Sequence, residues 1–278
     1  MEHRGRVEGK TAVVTGAGST PGPGVGTGRA TAIVLAREGA RVLLADIHGD
    51  RAEETLRLIE AEGGAGIAFA GDMRRSADCQ AMVDAAVRSF GRLDILVNNI
   101  GAAIAGNVVD TREEDWDSVL DVSLRTAFLA SKAAVPAMAA QAGGAIVNVG
   151  SISGFRGGNY VGYSAAKGGL HALTVDMAYS HGRQGIRVNA VAPGHITTPL
   201  LYSVSGHTPE TDFRQRLAAA SNLLGTEGTA WAVASAVVFL ASDEARWITG
   251  VTLPVDAGVM SVTPLMMAPA LREVALPE

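Results

Sequence analysis

Cysteine occurs once in these 278 residues, at Cys79. One thiol cannot form an intrachain disulfide, so secretion gains no support. No apolar run reaches the ~18 residues of a membrane span, and the opening Met1-Glu2-His3-Arg4-Gly5-Arg6 lacks the apolar core of a signal peptide. Lysine is scarce, at Lys10, Lys132 and Lys167 only, and no basic run interrupts a net charge of −5. Nothing therefore asks for nucleic acid or an anionic membrane surface. The histidines are scattered without ligand spacing, which predicts no catalytic metal. Gly-x-Ser-x-Gly is missing as well, so a nucleophile-elbow hydrolase gains no support. These absences leave a soluble cytoplasmic protein as the expectation.

Apolar residues are plentiful, at 47% of the chain. Short β-branched apolar runs alternate with longer helical patterns. The runs are Thr11–Thr15, Arg41–Ala45, Ile67–Ala70, Ile95–Val97, Ala145–Val149, Arg187–Val191 and Thr252–Val255. The helical stretches include Gly28–Glu38, Asp50–Glu62, Ser76–Phe90, Trp116–Ala140, Tyr163–His181 and Glu227–Ala241. Continuous apolar strands separated by helices predict a parallel sheet covered on both faces. The expected fold is α/β, a Rossmann-type, doubly wound sheet of seven parallel strands, in one domain spanning residues 1–278. Thr197–Leu224 is long for a connection and is a candidate substrate lid. Thr263–Glu278 reads as a tail with no clear pattern, either packed on a neighbouring subunit or loose.

Tyr163 and Lys167 stand four apart at the start of a helical stretch, which places phenol and ammonium on one face. A cation beside a phenol favours the phenolate. Lowering a phenol from about 10 to about 7 takes roughly 4 kcal/mol. One positive charge at ~4 Å in an effective dielectric of ~20 supplies about that much. The pair is a candidate proton donor and acceptor near neutral pH. Coincidence on an exposed helix face is the bland alternative, weighed against what stands upstream. The first strand runs into Gly16-Ala17-Gly18-Ser19-Thr20-Pro21-Gly22-Pro23-Gly24-Val25-Gly26-Thr27-Gly28. A glycine-rich turn between strand and helix lets backbone N–H groups approach a pyrophosphate, and the helix N-terminus adds partial positive charge. Asp46 closes the second strand, eighteen residues after Gly28. A carboxylate there accepts both adenosine ribose hydroxyls and repels a 2′-phosphate, which argues for NAD over NADP.

With these residues in order, the chain resembles the short-chain dehydrogenase/reductase family over about residues 8 to 260. Gly16 with Gly26-Thr27-Gly28 is similar to that family's glycine-rich turn, and Asp72 matches its adenine-contacting Asp. Asn98-Asn99-Ile100-Gly101 resembles its Asn-Asn-Ala-Gly, which implies cofactor contacts at Asn99 and Gly101. Ser151 ends the fifth strand where the family places its catalytic Ser, and Tyr163 and Lys167 follow twelve and sixteen residues later. Pro193-Gly194-His195-Ile196-Thr197-Thr198 resembles the Pro-Gly loop, in which Pro193, Ile196 and Thr198 take cofactor-side positions. Val255-Asp256-Ala257-Gly258 is similar to the last strand region.

Two departures stand out. Nine residues separate Gly16 from Gly26 where the family usually has three, the surplus being roughly Thr20–Val25. Ser123, in Asp121-Val122-Ser123-Leu124, takes the place of an Asn that supports a water-mediated proton relay. The resemblance implies an NAD-dependent oxidoreductase interconverting a secondary alcohol and a ketone. Tyr163 would be the acid/base, Lys167 would tune it and hold the nicotinamide ribose, and Ser151 would bond the substrate oxygen. His195 and Tyr160 are further candidates at the substrate pocket, with a surface-loop His and a packing Tyr as their alternatives. A homotetramer is implied, with Trp116–Ala140, Tyr163–His181 and the last strand at its interfaces. Two rivals stand beside this reading. One is an NAD-binding regulatory or scaffold protein with weak or no catalysis, and the other is an epimerase or dehydratase of the same fold.

Overall fold

The computed structural model describes residues 5–200, 202, 208–271 and 274. Seven parallel strands form the main sheet: β1 (Thr11–Thr15), β2 (Arg41–Asp46), β3 (Ala65–Ala70), β4 (Ile95–Asn98), β5 (Gly144–Val149), β6 (Ile186–Pro193) and β9 (Thr252–Val255). Their order is β3-β2-β1-β4-β5-β6-β9. The central strands are apolar runs because both faces of the sheet are covered there, and β1 and β4 are buried at every position, whereas the edge strands β3 and β9 are partly exposed. Alternation along β1 divides the core. Ala12 and Val14 point into one layer with Ile33 and Leu35 of α1 (Thr27–Arg37), Ile59 of α2 (Gly49–Ala61), and Val233 and Val237 of α8 (Ala230–Ala241). Val13 points into the other layer with Met82 of α3 (Ser76–Phe90), Leu129 of α5 (Thr126–Ala140) and Met177 of α6 (Val161–His181). Each fully buried Val or Leu contributes about 1.5–3 kcal/mol, so this two-layer burial is the main source of stability.

β1 pairs with β2 on one side and with β4 on the other, so the winding reverses between β1 and β4. Connections leave in opposite directions there, which opens a crevice at the carboxyl ends of the strands. The glycine-rich turn, Asn99 and Ser151 all follow strands that end at this edge.

Four local readings change. The helix expected over Trp116–Ala140 is interrupted: α4 (Glu113–Leu120) runs into a π-helical stretch, Asp121–Arg125, before α5. The wider turn carries Ser123, which is fully buried. The last helical stretch begins at Ala230 rather than Glu227, because Gly228–Thr229 (β8) pairs in parallel with Ile196–Thr197 (β7) in a second small sheet. The candidate lid contains α7 (Pro209–Ala220), capped at its start by the Thr208 hydroxyl accepting from the Thr211 N–H. Residues 201 and 203–207 of that lid lie outside the described residues. The tail read as patternless contains α9 (Pro264–Leu271), and most residues beyond this helix lie outside the described ones. Among the described residues, no helix is long and apolar enough to cross a membrane.

Candidate active site

An elongated cleft of about 540 Å³ lies along the carboxyl edge of the sheet. It collects residues that are far apart in sequence: Gly16, Gly26, Gly28, Asp46, Asp72, Asn99, Gly101, Ser151, Tyr163, Lys167, Pro193, Ile196 and Thr198. Every residue read as catalytic or cofactor-binding is here except Ser123, which sits behind the wall.

At one end, Gly16 takes the left-handed conformation with φ +64°, turning the chain out of β1. Gly28 packs directly on that turn, where a Cβ would meet the Gly16 carbonyl oxygen at 1.9 Å. The Asn99 amide braces the same corner, donating to the carbonyls of Thr15 and Gly16 at 3.3 and 3.0 Å. Asp46 accepts from the backbone N–H of Gly18 and of His48, each at 2.9 Å, so its carboxylate is fixed across the mouth of the turn. Asp72 also lines the cleft, but Arg74 forks onto its carboxylate and holds its pKa below the usual value. His48, Arg51 and Arg74 join the lining at this end, and sequence reasoning passed over all three. The only available signal was their spacing, two and five residues after Asp46 and two after Asp72.

The surplus residues close on themselves and then reach the segment after β6. The Ser19 hydroxyl accepts from the Gly26 N–H at 3.1 Å, which ties the neck of Thr20–Val25. Beyond the neck the loop reaches the opposite wall. A methyl on Gly22 would rest 3.5 Å from Pro199 Cβ, and one on Gly24 would rest 3.3 Å from the Thr197 carbonyl oxygen. Gly22 and Gly24 both have positive φ, 142° and 83°, so the strap needs them as glycines.

At the other end, α6 brings Tyr163 and Lys167 against the end of β5. A buried polar ladder holds that helix to the sheet. The Asn98 amide donates to the Asn148 side-chain carbonyl at 2.8 Å, and the Asn148 amide donates to the Thr174 hydroxyl at 2.9 Å. Ser151 caps the 3-10 turn Ile152–Gly154, its hydroxyl oxygen accepting from the Ser153 N–H at 3.1 Å. Tyr163 lines the cleft beside it, and the Ser151 hydroxyl acts to lower the pKa of the phenol. His171 lies behind Ser151, its ring stacked on Phe155 and bridging the Ser151 carbonyl to the Thr252 hydroxyl, both at 3.2 Å.

The electrostatics correct the sequence reading. Lys167 was expected to draw the Tyr163 phenol down toward neutrality. Instead, burial raises the Tyr163 pKa, opposed by the neighbouring Ser151 hydroxyl. Lys167 Nζ lies over the phenol ring, 5.6 Å from its centroid, and donates to the Val149 carbonyl at 2.7 Å. Burial also lowers the pKa of Lys167 itself to about 8, so its charge costs free energy to hold. Four-residue spacing fixed the face the two side chains share, but not the direction of their heads.

Two further candidates lie beside the cleft. Ser123 keeps its hydroxyl on one backbone unit, accepting from the Ala102 N–H at 3.0 Å and donating to the Ala102 carbonyl at 3.1 Å. His195 lines a neighbouring cavity of about 420 Å³ rather than the cleft, as does Tyr160. Ser151 and Gly194 are common to both spaces, so the Ser151 hydroxyl stands at their junction.

Comparison with known proteins agrees with this geometry. A family model described as enoyl-(acyl carrier protein) reductase matches residues 24–260. Cyclohexanol dehydrogenase of an Acinetobacter species is 38% identical, the match covering 91% of this chain and 95% of that protein. A crystal structure from Burkholderia xenovorans, assigned to the short-chain dehydrogenases/reductases, superposes with a TM-score of 0.89 at 40% identity, covering 93% of this chain and 99% of the other. The structure of 7α-hydroxysteroid dehydrogenase complexed with NADH and 7-oxo glycochenodeoxycholic acid gives 0.83 at 32% identity, covering 91% and 95%.

Proposed function

The chain belongs to the short-chain dehydrogenase/reductase family, and from that premise we propose an NAD-dependent oxidoreductase that interconverts a secondary alcohol and a ketone. The observation that carries the proposal is the convergence of Ser151, Tyr163 and the buried Lys167 on one cleft, with Ser151 set where two cavities meet.

The residues fit a dinucleotide. Gly28 leaves a cradle beside Gly16 that a side chain would fill, and the start of α1 offers N–H groups with no acidic residue in its first turn. The fixed Asp46 carboxylate favours free adenosine ribose hydroxyls over a 2′-phosphate. When bound, the nicotinamide supplies the hydride acceptor or donor. In the oxidative direction, Tyr163 receives the hydroxyl proton of the alcohol, and in reduction it returns one. A phenol whose pKa is raised by burial holds its proton well as a donor. Proton acceptance at neutral pH relies on the charge of Lys167. Ser151 donates to the substrate oxygen and stabilises charge developing there. Ser123 steadies Ala102 at the cleft wall and stands where a proton relay would run.

In the same reading, residues 1–278 act as one catalytic domain of a cytoplasmic homotetramer that takes a small alcohol or ketone. The named activity of the cyclohexanol dehydrogenase relative and the NADH in the 7α-hydroxysteroid dehydrogenase complex support it by analogy. The rival, an NAD-binding regulatory protein, draws on Ser123 and the strap. The test is NADH formation across a panel of secondary alcohols, with NADP and Tyr163→Phe as controls. Tyr163→Phe should bind NAD and lose about 10²–10⁴-fold in turnover. Near wild-type turnover in that variant would remove the acid/base assignment, and tight NAD binding without turnover would favour the rival.

A further inference from the structure

The second cavity has a charge imbalance that the reaction itself does not explain. Its apolar wall includes Ile152 and Val262, with Met267 and Leu271 brought in by α9. Its polar lining contains Arg156 and His195, and no carboxylate. The Arg156 guanidinium donates to the Met260 carbonyl, a neutral acceptor, and is in no ion pair among the described residues. That bond orients the fork without cancelling its charge. Asp256 is outside the lining and in no ion pair with Arg156: it accepts from the N–H groups of Gly258 and Met260 at 2.9 and 2.8 Å, and its charge acts on His195. Arg156 therefore stands as a permanent cation on the wall of the cavity that holds Ser151.

Resting on the alcohol–ketone reading of Ser151 and Tyr163, we infer that the substrate carries a carboxylate, with Arg156 as the specificity residue that receives it. The hydroxyl or carbonyl of the substrate lies at Ser151, its hydrocarbon body lies against α9, and its acid group lies at Arg156. One permanent cation, with no lysine in the lining, matches a singly charged acid better than a phosphate dianion. A fixed guanidinium also leaves a neutral ester without a partner for that charge, so the cavity selects against uncharged analogues.

The test compares kcat/KM for 4-hydroxycyclohexanecarboxylate and 6-hydroxyheptanoate with that for their methyl esters, in wild type, Arg156→Ala and Arg156→Lys. Wild type should prefer the acids by about ten- to hundredfold. Arg156→Ala should collapse the acid-to-ester ratio toward one, mainly through KM, and Arg156→Lys should restore part of it. Calorimetric titration with cyclohexanecarboxylate and cyclohexanecarboxamide runs beside it and needs no turnover. Arg156-dependent preference for the carboxylate in binding upholds the inference even if no alcohol is oxidised, an outcome that would sink only the dehydrogenase reading. Equal treatment of acid and ester by wild type, or an unchanged ratio in Arg156→Ala, overturns the inference while leaving the dehydrogenase intact.

Discussion

Replacing Gly28 by Ala tests whether the turn after β1 is built as the structure has it. The added methyl would lie 1.9 Å from the Gly16 carbonyl oxygen and 2.5 Å from the Asn99 amide nitrogen. Neither can retreat cheaply. The first is backbone, and the second is held by its bonds to Thr15 and Gly16. Restoring an ordinary contact requires α1 to move about 1 Å from the turn, an overpacking cost of roughly 1–3 kcal/mol. Loosening the Asn99 bonds adds about 1 kcal/mol. Alanine's better helix propensity returns about 0.5–1 kcal/mol. The net loss is about 2 kcal/mol, equivalent to a fall in Tm of about 4–8 °C. NAD affinity should fall as well, because the helix start moves with the turn. Gly26→Ala is the matched control. Its methyl would meet the Ser19 hydroxyl at 3.2 Å and the Gly18 carbonyl at 3.4 Å, contacts that a small rotation relieves. Thermal unfolding with and without NAD, plus NAD titration, reads both effects. Wild-type Tm and affinity in Gly28→Ala would refute the close packing of helix on turn.

Asp46→Ser should erase the preference for NAD and raise efficiency with NADP. The repelling carboxylate is then gone while His48 and Arg51 remain in the lining, and comparing kcat/KM for the two cofactors checks it. Lys167 gives a stability prediction. Its pKa is about 8 when folded against 10.5 for the free side chain, so the unfolded chain binds more protons between those values and stability rises with pH across that window. Lys167→Met should therefore gain most over wild type in the NAD-free protein at pH 7 and lose that advantage by about pH 10. A Tm difference that stays constant with pH would show that burial of the charge is not the cause.

The parts legible in sequence were those encoded in neighbouring residues. The central apolar runs became strands because covering both faces leaves no alternation to misread, and Gly16 through Gly28 announced a turn between strand and helix. Ser151, Tyr163 and Lys167 were legible from their order and spacing. Interactions between distant segments were not legible. The head of Lys167 turns to Val149, eighteen residues back in the chain, and no pattern near Lys167 foretells that. Burial, which raises Tyr163, depends on what the fold stacks over α6. The pairing of β7 with β8 involves two residues on each side, too few to leave a period. Arg156 stays exposed, and its share in a cavity depends on α9, more than a hundred residues later, forming the far side. The π-helical break at Ser123 comes from accommodating one extra residue per turn, which the apolar pattern of Trp116–Ala140 does not reveal.

The strap formed by Thr20–Val25 links the glycine-rich turn to the Thr197–Pro199 segment beside the cleft. If this contact spans the mouth of the cleft, a long, two-ended molecule has to thread past Gly22 and Gly24 or wait for the loop to swing clear. By microscopic reversibility, the same obstacle governs arrival and departure. If the loop leaves the free energies of the free and occupied states alone, both rates slow by one common factor and the dissociation constant is untouched. An equilibrium titration would then miss the strap entirely, and stopped-flow mixing would see it twice.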